Sequence, residues 1–375
     1  MKLLNKMTKK MLLVGMVLCF PLCMFSCGGG DGDSDGDSQM TGNENVDNGQ
    51  GKPDDTGGNA VKAFAKGADV SWLTEMEKAN KKFYDTAGNE RECMALLKNV
   101  GFNAIRLRVW VNPADGWCDK SDVLVKARRA AKLGLDLMID FHYADSWADP
   151  GKQPVPAAWQ NYSLSEMKTA VAGHTTDVLQ ALKDEGIAVK WVQVGNETNN
   201  GMLWPMGQAD KSMSNYAALT TAGYDAVKTV YPDAKVIVHL ANGHEINNYT
   251  WIFNGLKQYG GKWDVIGMSL YADEDANNNW FSTKWQSMVN SCAANIRSLA
   301  NAYQCEVMVC EVGARWDDPN AKKFVSALLT TVRDIDACLG VFYWEPQCLP
   351  DWKGYNKGAF DKSGQPTSTL DAFRD

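Results

Sequence analysis

Eight short runs rich in Val, Ile, Leu and Met recur along the chain, separated by helix-like segments with recognisable ends. They are residues 67–72, 104–110, 135–143, 189–194, 235–240, 265–271, 307–310 and 340–344. Near-continuous apolar character, without polar alternation, means burial on both faces, as in a parallel sheet covered by helices. Helical segments over 121–133 and 164–185 are each closed by a glycine, Gly134 and Gly186. A doubly wound sheet would give a similar alternation. A single (β/α)8 barrel of the TIM type fits better, because polar residues gather where the runs end: Asp69 and Ser71, Arg106 and Arg108, His142, Asn196 and Glu197, Asn242, Tyr271, Glu311, Trp344 and Glu345. In a barrel those ends share one mouth.

Among these, Glu197 closes the fourth run and Glu311 the seventh, which sets two carboxylates across that mouth. Retaining glycoside hydrolysis needs two carboxyls about 5–5.5 Å apart, one to protonate the leaving oxygen and one to attack the anomeric carbon. Their environments must push their pKa values apart. A lone glutamate at a strand end is more often a solvated loop group; two at strands four and seven make a site. Asn196 is suited to hold a sugar 2-hydroxyl. Arg106 and Arg108, two apart on one face of the second strand, are expected to keep Glu311 charged. His142 offers a ring that could serve a substrate or a metal, but with four histidines, no His-x-His and no HExxH, a metal site is not expected.

Six of the fourteen tryptophans, Trp72, Trp110, Trp147, Trp204, Trp316 and Trp344, fall at or just after expected strand ends. Flat indole faces suit the C–H faces of pyranose rings, although an aromatic at such a place is as often a packing residue. A carbohydrate chain would account for the surplus.

The N-terminus reads differently. Met1–Lys10 carries four lysines, 11–25 is an apolar stretch too short for a comfortable membrane span, and Ser26-Cys27 precedes three glycines. This resembles a bacterial lipoprotein signal, with residues 1–27 as signal peptide and Cys27 as the lipidated residue; Met24 stands where leucine is usual. Residues 28–62 form a flexible, disordered linker rich in Gly and Asp, and 63–375 the catalytic domain. Between Gly28 and Asn59 there are eight acidic residues, one lysine and two apolar residues, too few to offset the entropy of ordering. The expected protein is therefore exported and held at the outer membrane or cell surface by its lipid, acting as a monomer. Removing residues 1–27 takes away four lysines and no acid, moving the net charge from −7 to −11. An acidic surface without a basic stripe argues against nucleic acid as partner and for a neutral substrate. Seven cysteines remain after the signal; their number and spacing give no zinc motif, and Cys310, inside an apolar run, reads as a small core residue.

Several segments, in order, resemble glycoside hydrolase family 53, the endo-β-1,4-galactanases of clan A. They are KGADVSW at 66–72, IRLRVWVNP at 105–113, DFHYADSWADP at 140–150 with Gln153 following, VGNE at 194–197, GMLWP at 201–205 and YWEP at 343–346. The resemblance covers nearly all of 66–373 and implies Glu197 as acid/base, Glu311 as nucleophile, and Arg106, His142, Asn196, Tyr271 and Trp344 around the bond to be cut. Asp69, Arg108, Asp145 and Trp147 complete the candidate substrate-binding set. The chain departs from its relatives after Tyr271, where Ala-Asp stands, and after Glu311, where Val-Gly-Ala stands. Some members carry a calcium ion in long loops after the seventh strand; residues 312–319 are short here, and no calcium or other cofactor is expected. The function implied is endo-hydrolysis of the β-1,4-galactan of pectin by double displacement. Two rivals stay open: another clan A endoglycanase acting on mannan, xylan or cellulose, and a surface glycan-binding lipoprotein without catalysis.

Overall fold

The computed structural model describes residues 64–272 and 284–374. Residues 1–62, on which the expected signal peptide, Cys27 and the expected linker fall, lie outside the described residues, as does Asp273.

Eight parallel strands close into a barrel: β1 (Ala65–Asp69), β2 (Ala104–Val109), β3 (Asp136–Phe141), β4 (Trp191–Val194), β5 (Lys235–Leu240), β6 (Val265–Tyr271), β7 (Glu306–Gly313) and β8 (Cys338–Trp344). β1 pairs with both β2 and β8, which removes every sheet edge. Between the strands run α1 (Leu73–Lys78) and α2 (Cys93–Val100), then α3 (Lys120–Lys132), α4 (Leu164–Asp184), α5 (Ala209–Val230), α6 (Ile246–Gln258), α7 (Trp285–Tyr303) and α8 (Ala321–Arg333). A short 3-10 turn, Ser368–Phe373, follows β8. The barrel expected from the alternation is the one observed.

Local chemistry sets these boundaries. Ser163 and Glu166 form a reciprocal capping box at the start of α4, and the side chain of Asp119 accepts from the Asp122 N–H at the start of α3. Gly134 and Gly186, both at φ 68°, end α3 and α4 in the left-handed region that glycine enters at little cost. On α8, Phe324, Val325, Leu328, Leu329 and Val332 recur at three and four residues and are buried against the barrel.

β1 is shorter at its end than expected. After Asp69 the chain leaves the sheet, because Ser71 donates its N–H (3.0 Å) and hydroxyl (2.6 Å) to Asp69 Oδ1 and the Trp72 N–H donates to the Glu345 carboxylate (3.1 Å). β7 is longer than expected and includes Glu311.

Inside the barrel, alternate residues climb from apolar to polar. Ala65, Ala104, Met138, Trp191, Ile237, Val265 and Met308 share one interior cluster with Cys310, Leu339 and Phe342. The next positions on several of these strands are Arg106, Asp140, Gln193 and His239, all buried. The plug is tight. The Phe342 ring fills the space beside Gly67, where a Cβ would stand 2.1 Å from it.

One irregularity matters above the plug. Along β6 and β7 the register runs Met268 with Val309 and then Ser269 with Glu311, skipping Cys310. In a regular strand consecutive side chains face opposite sides. Here the extra residue leaves Cys310 in the interior cluster and brings Glu311 to the interior as well.

Candidate active site

The floor of the mouth is organised by Arg106. Its Nη1 donates to Asp69 Oδ2 (2.7 Å) and its Nε to Gln193 Oε1 (2.7 Å). Its Nη2 faces Asp140 Oδ2 (2.8 Å), Glu311 Oε1 (2.9 Å) and Asn196 Oδ1 (3.0 Å). Burial works against this charge, yet Asp140, Glu311 and Asp69 outweigh it and hold the guanidinium firmly protonated. Burial raises Asp140 too, but Arg106 and His142 bring its pKa below the usual range. His142 receives the Ala148 N–H on Nδ1 (3.2 Å), so its Nε2–H donates to Asp140 (3.1 Å) and the ring is neutral, with burial depressing its pKa.

Arg108 does not share this task. The expectation that it keeps Glu311 charged is corrected: its Nη1 lies 3.4 Å from Glu345, and its guanidinium stacks 4.3 Å from the Trp147 ring and 4.8 Å from that of Trp110. Two residues further up the strand, it meets the aromatic wall rather than the centre. Glu345 is fully buried, and burial together with Asp69 pushes its carboxyl up.

Glu197 sits on a sharp turn after β4. Gly195 (φ 87°) and Glu197 itself (φ 44°) take left-handed backbone, unfavourable for a glutamate and typical of functional turns. The turn is held by Gly195 N–H to Phe141 O (3.0 Å), Thr198 N–H to His239 O (2.8 Å) and the Gln153 side-chain amide to Asn196 O (2.9 Å). Asn196 donates through Nδ2 to Ala148 O (2.9 Å) while its oxygen faces Arg106, so the amide is oriented. Oε1 of Glu197 is 2.6 Å from the Ser269 hydroxyl, which contacts His239 Nε2 at 2.8 Å.

Glu311, across the mouth, accepts from Arg106 and from the Tyr271 hydroxyl (2.9 Å). Burial pushes both Glu197 and Glu311 up; Arg106 pulls both down, and the charge of Glu197 raises Glu311 further. Because Arg106 is shared with Asp69 and Asp140, it does not neutralise the pair fully. The two carboxyls therefore hold a proton between them well above the ordinary glutamate range.

Both open onto one cavity of about 350 Å³, lined also by His142, Trp147, Asn196, Asn242, Tyr271, Trp344 and Tyr355. Trp72, Trp147, Trp344 and Tyr355 meet edge to face with centroids 4.7–5.9 Å apart. Of the six tryptophans singled out, only Trp147 and Trp344 line the cavity; Trp72 and Trp110 are packed behind them. Asp69, Arg106 and Arg108 do not line it: the first two are joined to each other behind Glu311, and Arg108 is packed against Trp147 and Trp110. Asp145 fastens two loops, accepting from Asn112 N–H (3.0 Å) and Ala157 N–H (2.8 Å). A larger depression, about 640 Å³, lies at the start of β5 and β7, where Lys228 pairs with Asp264 (2.7 Å) and Lys235 with Glu306. Its carboxylates Asp264 and Glu306 are each paired with a lysine.

Sequence reasoning passed over Gln193, His239, Ser269 and Tyr355. The first three carry one faint signal, a polar side chain inside an apolar run, which is costly unless paired. Tyr355 carries none. Among the described residues no group of three or more His, Cys, Asp and Glu is arranged to hold a metal ion, and none of the seven cysteines there forms a disulfide.

A closed parallel barrel whose C-terminal mouth joins two carboxylates, an arginine hub and an aromatic wall defines a glycoside hydrolase. The family model for glycosyl hydrolase family 53 matches residues 65–373, and the chain belongs to that family. It is 30% identical over 321 residues to the endo-beta-1,4-galactanase of Bacillus subtilis, covering 77% of this chain and 71% of that protein. It is 28% identical over 337 residues to an arabinogalactan endo-beta-1,4-galactanase of Thermothelomyces thermophilus, covering 82% and 98%. Among solved structures, the Ignisphaera aggregans GH53 catalytic domain superposes with a TM-score of 0.74 at 30% identity, covering 84% of this chain and 97% of that one.

Proposed function

We propose that the protein is a retaining endo-β-1,4-galactanase in which Glu311 attacks the anomeric carbon and Glu197 is the acid and then the base. The observation that carries this reading is the opposed set of donors at the two carboxyls. Glu311 faces the Arg106 guanidinium and the Tyr271 hydroxyl, both of which favour its anion, whereas Glu197 meets one hydroxyl. The shared proton thus belongs on Glu197. Ser269 touches Glu197 and is the register partner of Glu311 on the neighbouring strand, which fits the short separation of a retaining pair, about 5–5.5 Å, better than an inverting one.

In the first step the Glu311 carboxylate forms a bond to the anomeric carbon as the glycosidic bond breaks, and the Glu197 proton passes to the departing oxygen. Glu197, now ionised, takes a proton from water, which attacks the same carbon and frees Glu311. Asn196, whose amide nitrogen has a second hydrogen beyond the one given to Ala148, is placed to bind the sugar 2-hydroxyl. Trp147 and Trp344 supply stacking faces.

The names of the similar proteins favour β-1,4-galactan over mannan, xylan or cellulose as substrate. We propose that it acts as a monomer; assay of the purified protein on that panel, with product anomers followed by NMR, tests linkage and stereochemistry together. Glu197→Gln and Glu311→Gln are each expected to lower kcat by ~10³-fold or more; substantial galactan hydrolysis by either variant sinks the assignment, and tight galactan binding without products returns the binding-protein reading. We also propose export and lipid attachment at Cys27. Fatty-acid labelling that persists in Cys27→Ala would overturn the attachment.

A further inference from the structure

A chain of hydrogen bonds leads from Arg106 to Glu197, and its direction can be read link by link. Arg106 Nε–H donates to Gln193 Oε1, which makes Gln193 Nε2 the donor end of that amide. That nitrogen gives one hydrogen to Asp140 Oδ1 (2.9 Å) and the other to His239 Nδ1 (3.0 Å). The Glu197 backbone N–H also points at Nδ1 (3.4 Å). Asn196 Oδ1 lies 3.1 Å from the same nitrogen and would suit a hydrogen there, but that would set two donors against it. His239 is fully buried, and burial with Arg106 nearby keeps the ring neutral. Its single hydrogen is therefore on Nε2 and donates to Ser269 Oγ, leaving the serine hydrogen for Glu197 Oε1.

We propose that Gln193, His239 and Ser269 are positioning residues that pass one fixed hydrogen-bond polarity to Glu197, so that Oε1 always accepts and the transferable proton resides on Oε2. This rests on the reading of Glu197 as acid/base. When that proton moves to the departing oxygen, the electron pair of the broken C–O bond goes with the leaving sugar and Glu197 is left as a carboxylate, to which Ser269 still donates. The relay thus favours the state formed in the transfer. The charged groups facing Glu197 are Arg106, Asp149, Asp140 and Glu311, and Ser269→Ala replaces none of them, whereas His239 also acts on Asp140.

The test compares two substrates of the whole protein: β-1,4-galactan, whose departing sugar needs the proton, and an aryl β-galactobioside with a strongly acidic phenol, which does not. Ser269→Ala is expected to lower kcat/KM on galactan by ~10-fold or more while changing the aryl substrate by less than ~3-fold. Its alkaline limb should move to higher pH, and Ser269→Thr, which keeps the hydroxyl, should recover activity. Equal losses on both substrates with an unmoved limb, or full galactan activity in Ser269→Ala, would overturn the relay. If Ser269→Ala fails to fold, His239→Ala, which removes the donor to Ser269 Oγ, is measured in its place, with the same expected split and the same overturning result. Glu197→Gln is assayed alongside: hydrolysis of galactan by that variant defeats the acid/base assignment itself, a failure separate from that of the relay.

Discussion

Nη2 of Arg106 stands 2.9 Å from Oε1 of Glu311 while the same nitrogen faces Asp140 and Asn196, so one guanidinium edge ties strands β2, β3 and β7 to the turn after β4. No point charge could do this. Arg106→Lys keeps the charge but loses the planar fork, and is expected to lower kcat by ~10²-fold or more. Melting temperature should fall as well, since Asp69 or Asp140 loses its partner in a buried place. Near wild-type kinetics in Arg106→Lys would show that charge alone suffices.

The paired carboxyls predict the form of the pH profile. Below the lower pKa Glu311 is protonated and cannot attack; above the upper one Glu197 has no proton to give. Because burial raises both, the alkaline limb of kcat/KM should lie well above an unperturbed glutamate, about 4.3. Rates measured from about pH 4 to about pH 9 would check it, and a limb at the unperturbed value would contradict the shared proton.

Stability carries the same signature with a definite sign. Folded, the two carboxyls together keep their shared proton to higher pH than they would unfolded, so this contribution is complete below the unfolded pKa and lost as pH rises through the upper native pKa of the pair. At alkaline pH the wild type must bury a charge that Glu311→Gln lacks. The variant is expected to melt higher than wild type there, with the gap shrinking towards acid pH. Calorimetry at the two ends decides it, and a gap that widens on acidification would reverse the sign.

Packing beneath the site gives a prediction independent of charge. In Gly67→Ala the new Cβ would stand 2.1 Å from the Phe342 ring, itself set edge-on to Trp191. Ring and backbone must shift, at a cost of about 1–3 kcal/mol. Urea denaturation with an unchanged m-value would measure it. A neutral result would mean the plug has room.

The strands were readable because a parallel barrel buries both faces of each, leaving apolar runs that few other architectures produce. Glu197 and Glu311 were readable because a carboxylate ending such a run must face the mouth or solvent. What stayed hidden is what a linear pattern does not encode. Strand parity puts Arg106 and Arg108 on one face, but not that one reaches Glu311 while the other lies against tryptophans. Gln193, His239 and Ser269 look isolated in sequence; only closure of the barrel makes them neighbours. Asp145 sits in the most distinctive motif, yet its carboxylate is engaged by the backbone of two loops, and loop fastening leaves no periodic trace.

The skipped residue on β7 has a bearing on how such a site can change over time. Because Glu311 owes its aim to a backbone count, replacing Cys310 by another small apolar residue would leave the carboxylate where it is. Losing one residue from the strand would instead rotate the glutamate outward, among the helices, without changing the identity of any residue that lines the cavity. Here the spelling of the strand is negotiable and its length is not.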